Sequence, residues 1–140
     1  MAKFIHGTAG WSYRDWVGPF YEPGTPQGRF LAQYAKRFPG AEVDATFYRI
    51  PTQKICSGWD RVTPDGFVFS PKLPGEITHK RFLEDSQGLV REFLDALSPL
   101  GPKLGLIVSW NARPHATPPL TAARTASTTN PISCPDAAAN

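Results

Sequence analysis

The chain has 140 residues, of which 41% are hydrophobic, 12% aromatic and 19% charged, enough for one domain with a core and too few for two of ordinary size. Fifteen Lys and Arg against twelve Asp and Glu leave a formal charge of +3 with no run of like sign, so nothing indicates a dedicated nucleic-acid binder. Cys56 and Cys134 make neither a CxxC pair nor a zinc-finger spacing, which argues against a disulfide framework and for a reduced, cytoplasmic setting. The short apolar burst before Gly7 is too brief for a secretory signal, and no apolar run reaches the roughly 20 residues needed to span a bilayer, so no membrane partner is expected.

Taken in chain order, Phe4-Ile5 reads as a short buried strand ending at Gly7. A long loop from Thr8 to Thr25 follows, carrying Trp11, Tyr13, Trp16, Phe20 and Tyr21. A first helix begins near Pro26, with Phe30, Leu31, Tyr34, Ala35 and Phe38 on one face, and stops at Pro39-Gly40. Ala41 to Asp44 predicts a second strand and Thr46 to Ile50 a connection. Pro51-Thr52 then opens a second helix through Ile55, Trp59 and Val62, closed by Pro64-Asp65-Gly66. Phe67 to Phe69 is a third strand. The spacing of Leu89, Val90, Phe93, Leu94 and Leu97 predicts a third helix over Glu84 to Leu97, and Leu104 to Val108 a fourth strand.

Four strands alternating with three helices argue for an α/β fold with parallel strands. A closed (β/α)8 barrel takes about 250 residues, so the pattern suits half of one, or a small open doubly wound sheet. Residues 1–110 form this unit. Residues 111–140 hold no aromatic side chain and consist mostly of Ala, Thr, Pro, Ser and Asn, too little apolar surface to offset about 1 to 2 kcal/mol of backbone entropy per ordered residue. This tail is expected to be disordered.

Four blocks occur in register: Gly7-Thr8-Ala9-Gly10-Trp11-Ser12-Tyr13; Trp16 with Phe20-Tyr21-Glu22-Pro23; Glu42-Val43-Asp44-Ala45-Thr46-Phe47-Tyr48-Arg49-Ile50-Pro51; and Phe69-Ser70-Pro71-Lys72 with Ile77-Thr78-His79. Together they closely resemble the YecE-like family (domain of unknown function 72) across residues 3–108. The resemblance implies a TIM-barrel-like fold of uncharacterised activity. Family members run to about twice this length and carry a Gln-Leu-Pro-Pro type segment after the fourth strand, where this chain has Ser109-Trp110-Asn111. The expectation is therefore a truncated or frame-shifted form of a longer gene, with exposed inner side chains, unpaired edges and self-association of half barrels.

In parallel α/β folds the ligand site lies beyond the carboxyl ends of the strands. There the sequence places Thr8, Trp11, Ser12 and Tyr13, then Glu42, Asp44, Thr46 and Tyr48, then Ser70, Lys72 and His79. Glu42 and Asp44, two apart in an extended segment, share one face, and paired carboxylates make a general acid and base or a divalent-metal site. The structural alternative is an acid paired with Lys72. Lys72 itself suits anion binding, acts as a base if its pKa falls, or serves as a counter-ion to Glu42. His79, beside Lys80 and Arg81, is expected to have a lowered pKa and to move a proton or contact a phosphate, unless it is a solvated loop histidine.

Trp11 and Tyr13 are read as stacking surfaces for a ligand, and the other loop aromatics as a packed satellite core. Tyr48 lends a hydroxyl to the site while Phe47 packs inward. No glycine-rich phosphate loop follows the first strand. The expected function is an enzyme-like barrel portion whose intact relatives act on a small polar ligand, phosphorylated or sugar-like, by acid/base or metal-assisted chemistry. A binding module for a ligand or single-stranded nucleic acid, and a product with no function, stay open as alternatives.

Overall fold

Two parallel strands form the centre of the molecule: β1 (Gly40–Val43) and β2 (Val68–Pro71), in register from Gly40 opposite Val68 to Val43 opposite Pro71. The structure is a computed structural model that describes residues 4–80 and 85–109. Strand alternation gives the sheet two unlike faces. Ala41, Val43 and Phe69 are buried on one, while Glu42, Val68 and Ser70 are half-buried on the other.

An extended segment lies along each outer side of this pair. Before β1, Ala9 bridges Glu42 in parallel; Glu42 N donates to Thr8 O at 3.0 Å, and Gly10 N to Glu42 O at 2.9 Å. Beyond β2, Leu104 bridges Phe69 and Val108 bridges Lys72, again in parallel, with Gly105 N donating to Phe69 O at 2.8 Å and Val108 N to Pro71 O at 2.9 Å. Four parallel segments therefore lie side by side in chain order.

The expected first strand is displaced. Phe4 is 85% exposed and Ile5 is also exposed, and pairing starts only at Thr8. The cause is a side chain from elsewhere: the Tyr34 hydroxyl receives Thr8 N at 2.8 Å and donates to Gly40 O at 3.1 Å, tying the incoming segment to the start of β1. Gly7 is needed there, because a Cβ would strike the Gly40 carbonyl. The fourth expected strand pairs at its two ends but not as a continuous ladder, and Leu106 between them is 82% exposed. Gly105 lies so close to β2 that a Cβ would meet Val68 Cγ1.

The helices differ in number and length from expectation. A 3-10 turn (Gln27–Arg29) leads into α1 (Phe30–Tyr34), which buries Phe30, Leu31 and Tyr34. The connection expected after β1 is instead a one-turn helix, α2 (Ala45–Tyr48). Its Thr46 hydroxyl, fully buried, lies 2.7 Å from the carbonyls of both Val43 and Lys72 and joins the ends of the two strands. The third helix, α3 (Gln53–Val62), starts where Thr52 Oγ1 accepts from Ile55 N at 3.3 Å, satisfying one of the free donors of its first turn. It buries Cys56 and half-buries Trp59, but Ile55 and Val62, expected on the core stripe, face outward.

A π-helical turn (Glu76–Lys80) follows β2. The last helix, α4 (Gln87–Leu97), buries Phe93, Ala96 and Leu97, and a kinked 3-10 segment (Ser98–Lys103) returns the chain to the sheet. α1 touches α3 and α3 touches α4, so the core lies between this row of helices and the buried face of the sheet. Burying each of its large side chains contributes about 1.5 to 3 kcal/mol.

One buried charge was not foreseen. Lys103 donates from Nζ to Asp60 O at 2.7 Å and Thr63 O at 2.9 Å, and pairs with Asp60 Oδ1 at 3.0 Å. It thereby satisfies carbonyls at the carboxyl end of α3, where a cation also favours the helix dipole. Among the described residues no helix is long and apolar enough to cross a membrane. The expectation of disorder over residues 111–140 lies outside the described residues.

Candidate functional site at the strand ends

At the carboxyl ends of β1 and β2 the chain places three charges together. Lys72 Nζ lies 3.2 Å from Asp44 Oδ1 and 3.8 Å from Glu42 Oε1, with the three side chains about a third exposed. Glu42 arrives from within β1, opposite Ser70. Asp44 arrives from the turn that opens α2, where its backbone has already left the extended conformation. The shared face expected from strand alternation is thus completed by a turn, and the two carboxylates meet through the ammonium between them.

That arrangement decides between two uses of Lys72. The hydrogen bond to Asp44, reinforced by the charges of Asp44 and Glu42, raises the lysine pKa above its ordinary 10.5 against a smaller opposing effect of burial. Lys72 stays an ammonium at neutral pH and does not act there as a free base. Its Nζ also stands 5.6 Å from the centroid of the Phe47 ring.

His79 belongs to a neighbouring part of the site. Its ring meets the Phe47 ring edge-on at 5.2 Å, and its Nδ1 lies 2.7 Å from Thr78 Oγ1. Phe47 therefore contacts both the imidazole and the ammonium, and its tip packs where Gly75 leaves room for no Cβ. Arg81, one of the two cations expected to act on His79, lies outside the described residues. His79, Phe47 and Tyr48 line an open groove of about 700 Å³ between the post-β1 segment, the post-β2 segment and α4. Tyr48 is 84% exposed, with its ring edge-on to Phe47.

Trp11, Tyr13 and Asp44 line a second, smaller hollow of about 360 Å³ at the ends of the first extended segment and β1. Trp11 packs at right angles against Trp59, 5.6 Å between ring centroids, and also contacts Phe69. Tyr13 donates its hydroxyl to Ala9 O, folding the loop back over Gly10. The remaining loop aromatics form the expected satellite core: Tyr21 stacks on Phe30 at 4.4 Å and donates to Trp11 O, fixing the backbone from which the Trp11 ring projects.

Two members of the site were not visible as such in the sequence. Trp59 reads as a core position of α3 and becomes a wall of the smaller hollow, a contact that helix periodicity does not signal. Phe47 reads as inward packing and in fact contacts both Lys72 and His79. Among the described residues no group of three or more His, Cys, Asp or Glu side chains is placed to hold a metal ion. Cys56 is fully buried, and burial pushes its thiol pKa up, which leaves it unreactive.

The chain is similar to known proteins. The UPF0759 protein YecE of Escherichia coli (strain K12) is 34% identical over 99 residues, covering 71% of this chain and 34% of that protein. The UPF0759 protein YunF of Bacillus subtilis (strain 168) is 34% identical over 76 residues, covering 54% of this chain and 26% of that protein. The chain thus spans about a third or less of the curated relatives it matches. Two crystal structures of a DUF72 family protein from Enterococcus faecalis V583 share the fold. One has a TM-score of 0.56 at 21% identity, covering 71% of this chain and 37% of that one. The other has a TM-score of 0.50 at 26% identity, covering 59% and 36%. The family model described as "Protein of unknown function DUF72" matches residues 5–121, and the chain belongs to that family.

Proposed function

We propose that this chain supplies the first half of a TIM-barrel-like domain whose strand ends form a site for a small polar ligand, and that intact relatives carry out acid/base chemistry there. Four parallel segments in chain order, with the helices in one row on one side, are what a singly wound barrel requires; a doubly wound sheet would put helices on both faces.

The observation that carries the functional reading is Lys72 held between Asp44 and Glu42 just beyond the ends of adjacent strands. A fixed ammonium stabilises negative charge developing on a bound substrate, while Asp44 or Glu42 takes or returns a proton. His79 serves as a second proton carrier across the Phe47 ring, and Trp11, Tyr13 and Tyr48 make ligand contacts. A divalent metal would have to displace the lysine from between the carboxylates, so the acid/base route is preferred to the metal-assisted one.

Amide shift mapping of the full chain against a library of small polar metabolites tests the site. Perturbations gathered at residues 10–13, 42–45 and 70–72 support it; binding confined to other surfaces, or saturable Mn²⁺ binding at Asp44, overturns the acid/base reading.

Among the described residues the first and last extended segments have no further neighbouring segment, and exposed apolar side chains, Phe4 and Leu106, stand at these opposite edges. A second copy offers the matching edge, since the last segment of one copy and the first of the other run parallel and restore eight. Sedimentation of the full chain is expected to show a dimer that Leu106→Asp dissociates; a monomer at all concentrations overturns this closure.

A further inference from the structure

We infer that the smaller hollow accepts a neutral monosaccharide ring and discriminates against its phosphorylated form. This rests on the proposed strand-end site and names its ligand class.

The hollow of about 360 Å³ is at the small end of ligand pockets, the size for one ring rather than a nucleotide. Trp11 and Trp59 form its walls and Val43 joins them, so the apolar face of a ring finds an apolar and aromatic surface. The polar groups are few and differ in kind. Asp44 commits Oδ1 to Lys72, which leaves Oδ2 to accept from a ligand hydroxyl. Ser12 Oγ already accepts from Gln27 Nε2 at 2.7 Å, so its own proton is available to donate.

An acceptor and a donor beside an aromatic wall match neighbouring hydroxyls on a sugar, one donating and one accepting. Among the described residues that line the hollow, Asp44 is the only formally charged one, and it is negative. A phosphate placed there would meet a cluster of two carboxylates and one ammonium with a net negative charge, since Lys72 is shared between Asp44 and Glu42 and does not itself line the hollow.

The test is a titration of the full 140-residue chain, reading the Trp11 and Trp59 indole signals and the Asp44 amide, with D-glucose, D-galactose, D-mannose and glucose phosphate. At least one neutral hexose is expected to shift all three saturably, with glucose phosphate about tenfold weaker or worse. Asp44→Asn is expected to weaken the hexose about tenfold through loss of a charge-assisted hydrogen bond. Trp59→Phe, which keeps a ring in the wall, serves as a second variant and is expected to weaken it less. Glucose phosphate binding at these residues as tightly as the neutral hexoses overturns the inference. So does a hexose-silent hollow that responds to another polar metabolite, which leaves the proposed site standing. A mouth silent to every compound overturns both.

Discussion

The two flanks of the sheet end up in different states. On the amino-terminal flank Phe20, Tyr21, Phe30, Tyr34 and Phe38 pack ring on ring, and the tyrosine hydroxyls reach Trp11 O and Gly40 O. On the far flank Leu106 points away from the core and the segment carrying it touches β2 only near its ends. The lesson is that a flank closes where its side chains also satisfy the backbone. Closure on the first side comes from hydroxyls that satisfy backbone carbonyls while their rings fill space, and Leu106 has no such handle.

The largest effect that tests this contrast is a pair of truncations. Phe30→Ala is expected to cost about 3 to 5 kcal/mol in denaturant unfolding, because the stacked Tyr21 ring loses its partner in a site that cannot collapse. Leu106→Ala on the open flank is expected to stay within about 0.5 kcal/mol for the monomer. Equal losses at the two positions would show that the far flank is packed after all.

Next in size is Lys103→Met, which removes the cation that ties the end of α3 to the returning 3-10 segment. About 2 kcal/mol is expected, below the usual cost of breaking a buried pair because Asp60 stays partly in water. Chemical denaturation read by tryptophan fluorescence measures it, and an unchanged midpoint would mean that the Asp60 and Thr63 carbonyls find other donors.

The packed flank also predicts an alkaline weakness. Burial, and secondarily the nearby Tyr34, push the Tyr21 pKa from 10.0 up to about 12. A raised folded-state pKa gives stability that is complete below pH 10 and lost as pH rises through about 12. Unfolding midpoints should therefore fall over that window, and Tyr21→Phe should flatten the fall; an equal slope in the variant rejects the assignment.

The smallest effect is at the mouth. Lys72→Met is expected to change stability by about 1 kcal/mol or less, since the ion pairs are partly exposed. Its pKa shift has the same sign as that of Tyr21, so its contribution fades as pH rises above 10.5. A large loss would make the Glu42, Lys72 and Asp44 cluster a structural clasp rather than a site held ready for a ligand.

Much of this was legible in advance. The strand cores at Ala41 to Val43 and Phe69 and the helices over residues 53–62 and 87–97 follow from periodicity and from Gly and Pro punctuation, and the placement of Glu42, Asp44 and Lys72 at one mouth follows from the strand-end rule of parallel folds. What failed was local in appearance and distant in cause. Phe4-Ile5 looks like a buried strand, yet the pairing register is set by the Tyr34 hydroxyl and by the bare backbone of Gly7. Thr46 to Ile50 looks like a linker, yet it coils into α2, which puts the single Thr46 hydroxyl proton within reach of the carbonyls of both Val43 and Lys72.

By itself the sequence determined the order of the elements and the residue types at the strand ends, because side-chain period and chain-breaking residues act over a few positions. Only the tertiary structure decided that Lys72 sits as a charged clamp between two acids, that Phe47 contacts both it and His79, and that Trp59 meets Trp11. Those facts depend on which distant side chains share a space once the parallel segments are laid together, and no local pattern encodes the distance between them.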